Sequence, residues 1–136
     1  MREGFRRVTP ETAHGLYGTF YATFSNVGIR LSKYATQQMG FPEYISIFIN
    51  DDEKVFAVQV DRKQTDENFH YKNAKAGSGL LITAHSFRLY VGKLMGWDYS
   101  KSSYRVDGEF DADEKIAYFY LTKYTEKKVG KRTAKE

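Results

Sequence analysis

Cysteine is absent from this chain of 136 residues, and so are long apolar runs. Without cysteine the chain forms no disulfide bond, carries no thiolate nucleophile and offers no thiolate ligand to zinc. The longest unbroken apolar stretches are only a few residues, which is too short for a signal peptide core or a membrane-spanning helix. We therefore expect a cytoplasmic protein that makes no contact with a membrane.

Excess charge is also absent from most of the chain. The formal net charge is +4, and residues 123–136 account for all of it, with six basic and two acidic side chains. The other 122 residues carry 15 basic and 15 acidic side chains. This distribution predicts a single domain over residues 1–122, followed by a basic, flexible tail at 123–136. The alternative is that this tail is an arm that contacts phosphates.

Aromatic residues are abundant, with 11 Tyr, 10 Phe and one Trp making up 16% of the chain. Tyr and Phe favour pleated, half-buried surfaces, so this composition favours β-sheet. A chain of this length is also long enough to bury a hydrophobic core without covalent cross-links.

The first half of the chain predicts strands, a short helix and a hairpin. Residues 19–25 and 29–31 are predicted as strands, and Ser32 is predicted to cap a helix that ends at Gly40. Ile45, Ile47 and Ile49 alternate with other residues, which is typical of a strand, and a polar turn at 50–53 leads to a return strand at 55–60.

A similar order of elements recurs in the second half. An apolar segment at 80–82 precedes Thr83, the predicted N-cap of a helix whose buried face carries Phe87, Val91, Leu94 and Met95. A second hairpin follows, with a strand from Tyr104 to Phe110 and a return strand from Lys115 to Leu121.

These two halves predict an internal duplication. At an offset of 61 residues, Glu53-Lys54-Val55 aligns with Glu114-Lys115-Ile116. One copy, at about 19–60, and the other, at about 80–121, would each leave an apolar face exposed if they were alone. We therefore predict an α+β fold in which a duplicated strand–short helix–β-hairpin unit forms one compact, sheet-rich domain, either a barrel or a sandwich.

The first unit, from Ile29-Arg30-Leu31-Ser32 through Met39-Gly40 to the hairpin, resembles the swapped-hairpin transition-state regulators of the AbrB type. That resemblance implies a DNA-binding regulator. The family carries basic residues at the strand-to-helix junction, where this chain has Leu31-Ser32-Lys33 in one unit and Ile82-Thr83-Ala84-His85 in the other.

The whole chain is similar to small uncharacterised proteins of phages and prophages of Gram-positive bacteria. The similarity is carried by Gly40-Phe41-Pro42-Glu43-Tyr44-Ile45 and Leu94-Met95-Gly96-Trp97-Asp98. It implies a host-cell cytoplasm and a role in counter-defence, such as sequestering a nucleotide signal or blocking a defence protein.

Catalytic motifs are absent from the sequence. His14, His70 and His85 do not stand at metal-ligand spacings, and the acidic clusters at 51–53 and 111–114 are typical of hairpin turns. We therefore expect no enzymatic activity, no metal and no cofactor.

Two groups of residues are candidates for binding an anionic ligand. The loop Lys72–Gly79 combines lysines with glycines that allow backbone N–H groups to approach a phosphate. In the helix and just after it, Arg88 and Lys93 are predicted to lie off the core face beside aromatic residues. The predicted ligand-binding set is Lys72, Lys75, Gly77, Ser78, Arg88, Tyr90, Lys93 and Trp97.

Three functions remain open at this point. The first is a non-catalytic protein that acts by binding a nucleotide-like anion or a nucleic-acid-handling partner. The second is DNA binding by an AbrB-like regulator. The third is a protein-inhibitor or structural interaction module, with a homo-oligomer as a further option. The predicted nucleic-acid set is Arg30, Lys33, Lys127, Lys128, Lys131 and Arg132.

Overall fold

The computed structural model describes residues 1–9, 20–71 and 79–129. Eight strands and two helices lie within these ranges. In chain order they are β1 Tyr21–Ser25, β2 Gly28–Leu31, α1 Lys33–Gln38, β3 Tyr44–Asn50, β4 Val55–Asp61, β5 Phe69–His70, β6 Leu81–Ile82, α2 His85–Met95, β7 Ser102–Asp111 and β8 Ile116–Lys128.

All eight strands belong to one antiparallel sheet in the order β5-β3-β4-β8-β7-β1-β2-β6. In a flat sheet β1 and β4 would lie three strand spacings apart, about 14 Å. The ring centroids of Phe24 on β1 and Phe56 on β4 are nevertheless only 5.4 Å apart. The sheet therefore curls into a half-barrel around its own core, and the predicted sheet-rich α+β class is confirmed.

The core lies on the concave inner face of this sheet. Phe56 on β4 is opposite Phe119 on β8, and their rings stack at 4.9 Å. Helix α2 covers the same face, where Phe87 contacts Phe56 at 5.7 Å between ring centroids. Phe24, Phe56 and Phe119 are fully buried, and burying each such side chain stabilises the fold by roughly 1.5–3 kcal/mol.

The caps of α1 agree with the prediction. The Ser32 hydroxyl accepts a hydrogen bond from the Ala35 N–H at 3.1 Å, and Gly40 has a left-handed φ of 78°. Thr36, which is 1% exposed, donates to the Ser32 carbonyl and accepts from the Leu80 N–H at 3.0 Å. This threonine fixes α1 to the chain that enters β6.

The N-cap of α2 was predicted wrongly. The cap is Ala84, which has no side-chain hydrogen bond to the helix, and not Thr83. Thr83 instead hydrogen bonds to the Tyr71 side chain. At the other end Gly96 has the expected left-handed φ of 73°.

The two hairpins have the same register next to their turns, where the pairs from Asn50↔Val55 to Ile47↔Val58 match those from Asp111↔Ile116 to Gly108↔Phe119. Beyond these pairs a β-bulge between Val106 and Gly108 shifts the register of the second hairpin. Lys54 and Lys115, 61 residues apart, close the two turns with φ of 56° and 59°. Where β4 meets β8, the Val60 N–H donates to the Lys115 carbonyl, and the Leu121 N–H donates to the Lys54 carbonyl, both at 2.9 Å. These bonds exchange under the 61-residue offset, so the four strands β3, β4, β8 and β7 have local two-fold symmetry.

The same symmetry extends to β2 and β6. Gly28 and Gly79, 51 residues apart, both have positive φ, and each approaches a carbonyl of the other strand's chain. A Cβ on Gly28 would lie 2.9 Å from the Ile82 oxygen, and a Cβ on Gly79 would lie 2.2 Å from the Leu31 oxygen. Under this symmetry the antiparallel pair of β1 with β7 corresponds to the antiparallel pair of β5 with β3.

The predicted flexible tail is wrong for residues 123–128. These residues continue β8 and pair with the first half of β7, from Val106↔Tyr124 to Ser102↔Lys128. The Val129 N–H also donates to the Lys101 carbonyl at 2.8 Å. Residues 130–136 lie outside the described part of the chain. Within that part, neither helix has the length and apolar character needed to cross a membrane.

Candidate functional site

Half of the predicted ligand-binding set, namely its four loop residues, cannot be placed. Lys72, Lys75, Gly77 and Ser78 lie outside the described residues, as do Lys131 and Arg132. The loop's last residue, Gly79, is described, and its carbonyl accepts a hydrogen bond from Nη1 of Arg30 at 3.3 Å.

The predicted set on and after α2 does not form one site. Arg88 is 6% exposed, so the prediction that it lies off the core face is wrong. Tyr90 is exposed and donates to the Asp51 carboxylate at the β3–β4 turn, while Lys93 is exposed near the end of the helix. The position of a residue around the helix sets the direction of its side chain. Arg88, Tyr90 and Lys93 therefore face different surroundings.

Trp97 belongs to the core. It stacks on Tyr104 at 4.5 Å and contacts Phe24 and Tyr124 edge-on at 5.5 and 5.1 Å. Its indole Nε1 is buried without a partner among the described residues. Because Tyr104 stacks on its ring and Phe24 and Tyr124 pack against it, Trp97 serves the core and not a ligand-stacking surface.

The convex outer face of the sheet carries the strongest concentration of cationic side chains with a shared geometry. One lateral row crosses four neighbouring strands through the partners Arg30↔Thr23, Thr23↔Arg105 and Arg105↔Thr125. Neighbouring strands lie about 4.8 Å apart, so the two arginines stand about 10 Å apart along this row. We call Arg30, Thr23, Arg105 and Thr125 the basic row.

Lysines of β8 extend the basic row. Lys127 is opposite Ser103 on β7, two positions from Arg105, so it lies on the same face. Lys123 places its Nζ 5.1 Å from the ring centroid of Tyr120, another outer-face residue. The structure separates the predicted pair Lys127 and Lys128, because Lys128 is opposite the buried Ser102.

Arg105 is held in place by an aromatic ring. Its guanidinium carbon lies 3.8 Å from the ring centroid of Tyr21 on β1. This cation–π contact fixes the guanidinium plane and keeps one of its faces against the ring. The hydrogen-bonding edge and the opposite face of the guanidinium remain for other contacts, since Arg105 is partly exposed.

Three cations of this surface, Arg105, Lys123 and Lys127, form no ion pair among the described residues. Across residues 1–9, 20–71 and 79–129, the salt bridge that forms joins His70 to Glu43, at 3.0 Å. Arg105, Lys123 and Lys127 therefore have no carboxylate within 4.0 Å in those ranges. Asp107, exposed and opposite Tyr21, is two positions from Arg105 along β7.

An acidic groove lies beside the basic row on the same face. It has a volume of about 430 Å³ and is lined by Glu109, Asp111, Tyr118 and Tyr120 together with Phe110. Tyr120 donates to the Glu109 carboxylate, and this hydrogen bond raises the pKa of Tyr120 to about 12. Tyr118 donates to Glu114 at 3.0 Å, which likewise raises the pKa of Tyr118. The groove's carboxylates repel phosphate, so they mark the limit of the basic surface.

Sequence reasoning identified part of this surface. Of the predicted nucleic-acid set, Arg30 and Lys127 lie on the basic face, and Lys33 is exposed at the start of α1. Arg105 was not among the predicted site residues, because β1 and β7 pair across about 80 residues of chain and no local pattern shows that Arg105 joins Arg30. Tyr21, Thr23, Lys123 and Thr125 were missed for the same reason.

The acidic turns and histidines have local roles. Asn50 and Asp111 each accept a hydrogen bond through Oδ1 from the backbone of the third residue after them, at 3.0 Å. His70 contacts Glu43, and His85 accepts from Arg88. Within the part of the chain that the structure describes, no three acidic or histidine side chains are grouped as metal ligands.

No protein-family model, curated protein or solved structure matches the chain.

Proposed function

We propose that this protein is a non-catalytic binding module for single-stranded nucleic acid and that the basic row is its contact surface. The observation that carries the proposal is the alignment of Arg30 and Arg105 in one row, with Lys123 and Lys127 beside them and Tyr21 beneath Arg105. Two arginines and two lysines spaced along an open surface suit a repeating phosphate backbone better than a single small anion.

The geometry of Arg105 favours a single strand over a duplex. Unpaired bases stack on aromatic rings and on arginine guanidinium planes, whereas bases of a duplex are already stacked on each other. The guanidinium of Arg105, supported by Tyr21 on one face, offers its other face to such a base. Thr23 and Thr125 supply hydroxyl groups between the cations for phosphate or ribose oxygens.

We also propose that the chain arose by duplication of a strand–strand–helix–hairpin unit. The matching registers of the two hairpins and the matching glycines at 28 and 79 support it. In this account the second unit begins with β5, earlier than the copy predicted at about 80–121. The basic row lies to one side of the two-fold axis, and β3 and β4 on the other side carry Ser46 and Gln59 on the outer face. The binding surface is therefore a specialisation of one side of a symmetric scaffold.

The proposal is tested by fluorescence anisotropy with a labelled single-stranded oligonucleotide of mixed sequence. Arg105→Ala is expected to weaken binding by about ten-fold or more, because it removes a charge-assisted contact and a stacking plane together. Lys93→Ala, an exposed lysine on α2, is the matched control and is expected to leave affinity unchanged. Circular dichroism of each variant confirms that the fold is retained.

A duplex of the same sequence forms the second arm of that test. Tighter binding to the duplex would favour the AbrB-like regulator over our proposal. Absence of binding to either form, with both variants folded, would contradict a nucleic-acid function and would favour the protein-interaction module. The similarity to phage proteins suggests where such a single-strand binder acts, namely on nucleic acid exposed during infection.

A further inference from the structure

Strands β7 and β8 lie in the middle of the strand order, so together they form the crest of the convex face. The outward-facing residues of β7 change from positive to negative charge along this crest. Arg105 is partly exposed, Asp107 and Glu109 are exposed, and the alternating Tyr104 and Val106 are buried. The crest therefore carries a cation toward one end and carboxylates toward the other.

The opposite charges of the crest do not pair within one copy of the chain. Arg105 and Glu109 are four residues apart on one strand, which separates their Cα atoms by about 13 Å. Within the described ranges neither side chain forms a salt bridge. Tyr120 donates to Oε2 of Glu109, and Oε1 has no hydrogen-bond partner among the described residues. Both ends of the crest therefore have charge available for a partner.

The crest is complementary to a second copy of itself. In a two-fold contact, residue i of one copy meets residue j of the other, and j meets i. Asp107 stands midway between Arg105 and Glu109, so an axis that crosses β7 at this position places Arg105 of each copy against Glu109 of the other. The same operation brings together Lys127, which is opposite Ser103, and Asp111. Two crests that pack in opposite directions therefore match opposite charges at both ends.

The acidic groove gives the arginine of a second copy a surface of suitable chemistry. Tyr118 is opposite Glu109, and both side chains line this groove of about 430 Å³ together with Tyr120. Arginine pairs with carboxylates through its planar fork and stacks on aromatic rings. An Arg105 side chain that enters the groove would find both kinds of contact there.

The centre of such a contact brings two Asp107 carboxylates together, and lysines compensate for their repulsion. Val106 is paired with Tyr124, so Lys123 lies near Asp107 across the two strands. Each copy therefore supplies one lysine to the centre, and the central charges balance.

We propose that two copies of this chain associate through the β7–β8 crest as an antiparallel, two-fold dimer, with Arg105 of each copy in the acidic groove of the other. Electrostatic complementarity of this kind fixes the register of an interface and is weakened by salt. Dimerisation does not depend on nucleic-acid binding, but it would regulate that binding. Because the dimer covers Arg105, a second copy and a nucleic-acid strand compete for this residue.

Sedimentation velocity of the full chain, without nucleic acid, tests the dimer over a range of protein concentrations. At about 0.05 M salt the parent chain is expected to form a concentration-dependent dimer, and about 0.5 M salt should weaken association by at least about ten-fold. Arg105→Glu and Glu109→Arg are each expected to weaken association by at least about ten-fold, since each places like charges in both reciprocal contacts. Lys93→Glu, which reverses one exposed charge on α2, is the control and is expected to associate like the parent chain.

The two charge reversals compensate for each other only if the contact is reciprocal. An equimolar mixture of the two single variants, and the double variant Arg105→Glu, Glu109→Arg, are both expected to recover the association of the parent to within about three-fold. Circular dichroism confirms that each variant is folded. A parent chain that stays monomeric at low salt, single variants that associate like the parent, or a mixture that does not recover association would each overturn the proposal. Since these measurements contain no oligonucleotide, the dimer and the nucleic-acid function can fail separately.

Discussion

Gly79 and Gly96 both have a positive φ, but at Gly79 the neighbouring backbone also leaves no room for a side chain. A Cβ on Gly79 would lie 2.2 Å from the Leu31 oxygen, and the residue has a φ of 107°. Gly96 also has a positive φ, but nothing lies within 4 Å of its Cβ position. The two positions therefore separate a steric constraint from a conformational one.

We predict that Gly79→Ala lowers the free energy of unfolding by more than about 2 kcal/mol, since the backbone of β2 must move to accept it. Gly96→Ala should cost only about 1 kcal/mol, the usual penalty for placing an L-residue in the left-handed region. Urea denaturation of both variants measures the difference. Similar losses in the free energy of unfolding at the two sites would contradict the close approach of Gly79 to the Leu31 oxygen.

Tyr120 lies on the outer face of the sheet, and its ionisation depends on a neighbouring carboxylate. Its hydrogen bond to Glu109 raises its pKa to about 12, from an ordinary value of 10.0. A raised pKa means that the folded state holds this proton more tightly than the unfolded chain does. The resulting stabilisation is present below pH 10 and is lost as the pH rises toward 12.

We predict that Glu109→Gln returns the pKa of Tyr120 toward its ordinary value, because the carboxylate is the main cause of the shift. NMR of tyrosine labelled at the ring carbon Cζ follows each phenol separately through the titration. Tyr118, which is bonded to Glu114, is the internal reference and should keep its raised pKa. An unchanged titration of Tyr120 would exclude the Glu109 hydrogen bond in solution.

At the scale of elements, the C-terminal half of β8 is the largest departure from the sequence prediction. Residues 123–128 are all exposed, and three of them are lysines, so the segment has the composition of a tail. It is a strand because its backbone pairs with Ser102–Val106 of β7 and because the Ser102 hydroxyl donates to Glu126 at 2.6 Å. Backbone pairing of this kind leaves no apolar alternation for a sequence pattern to detect.

We predict that a chain ending at Thr122 is less stable than one ending at Val129, since the shorter chain leaves half of β7 as an unpaired edge. Thermal melting of the two truncated chains tests this. In hydrogen-exchange experiments on the longer chain, amides of residues 123–128 that point toward β7 should be protected. Equal melting temperatures, with no protection of these amides, would show that residues 123–128 form a flexible tail.

The elements that could be predicted are those with local signals. Ser32 caps the start of α1 as expected, and Gly40, with its left-handed φ, directly follows the C-cap Met39. The polar turns predicted at 50–53 and 111–114 lie between the strands of the two hairpins. Thr83 was misassigned as a cap because its hydroxyl serves Tyr71, which is distant in sequence. The signals that failed are those that depend on a partner from elsewhere in the chain.

At the scale of the whole molecule, the same limit applies to the candidate site. Arg30 and Lys127 were identified as basic residues, but the basic row exists only because β2, β1, β7 and β8 are neighbours in the curled sheet. The strand order brings Arg30 and Arg105 into one row from positions 75 residues apart. Arg88 was predicted to lie off the core face of α2 but is buried, because a single arginine at a helical spacing does not report its burial.

If the basic row binds a nucleic-acid backbone, the binding must depend on salt concentration, because the cations displace counterions from the phosphates. Each phosphate contact made with a single strand contributes about 0.7 to the slope of log affinity against log salt concentration. Four cations predict a slope of about −2.8, and the double variant Lys123→Ala, Lys127→Ala should reduce it to about −1.4. Anisotropy titrations of the full chain over a range of salt concentrations give both slopes. A slope that the double variant leaves unchanged would contradict nucleic-acid binding by the basic row and its lysines.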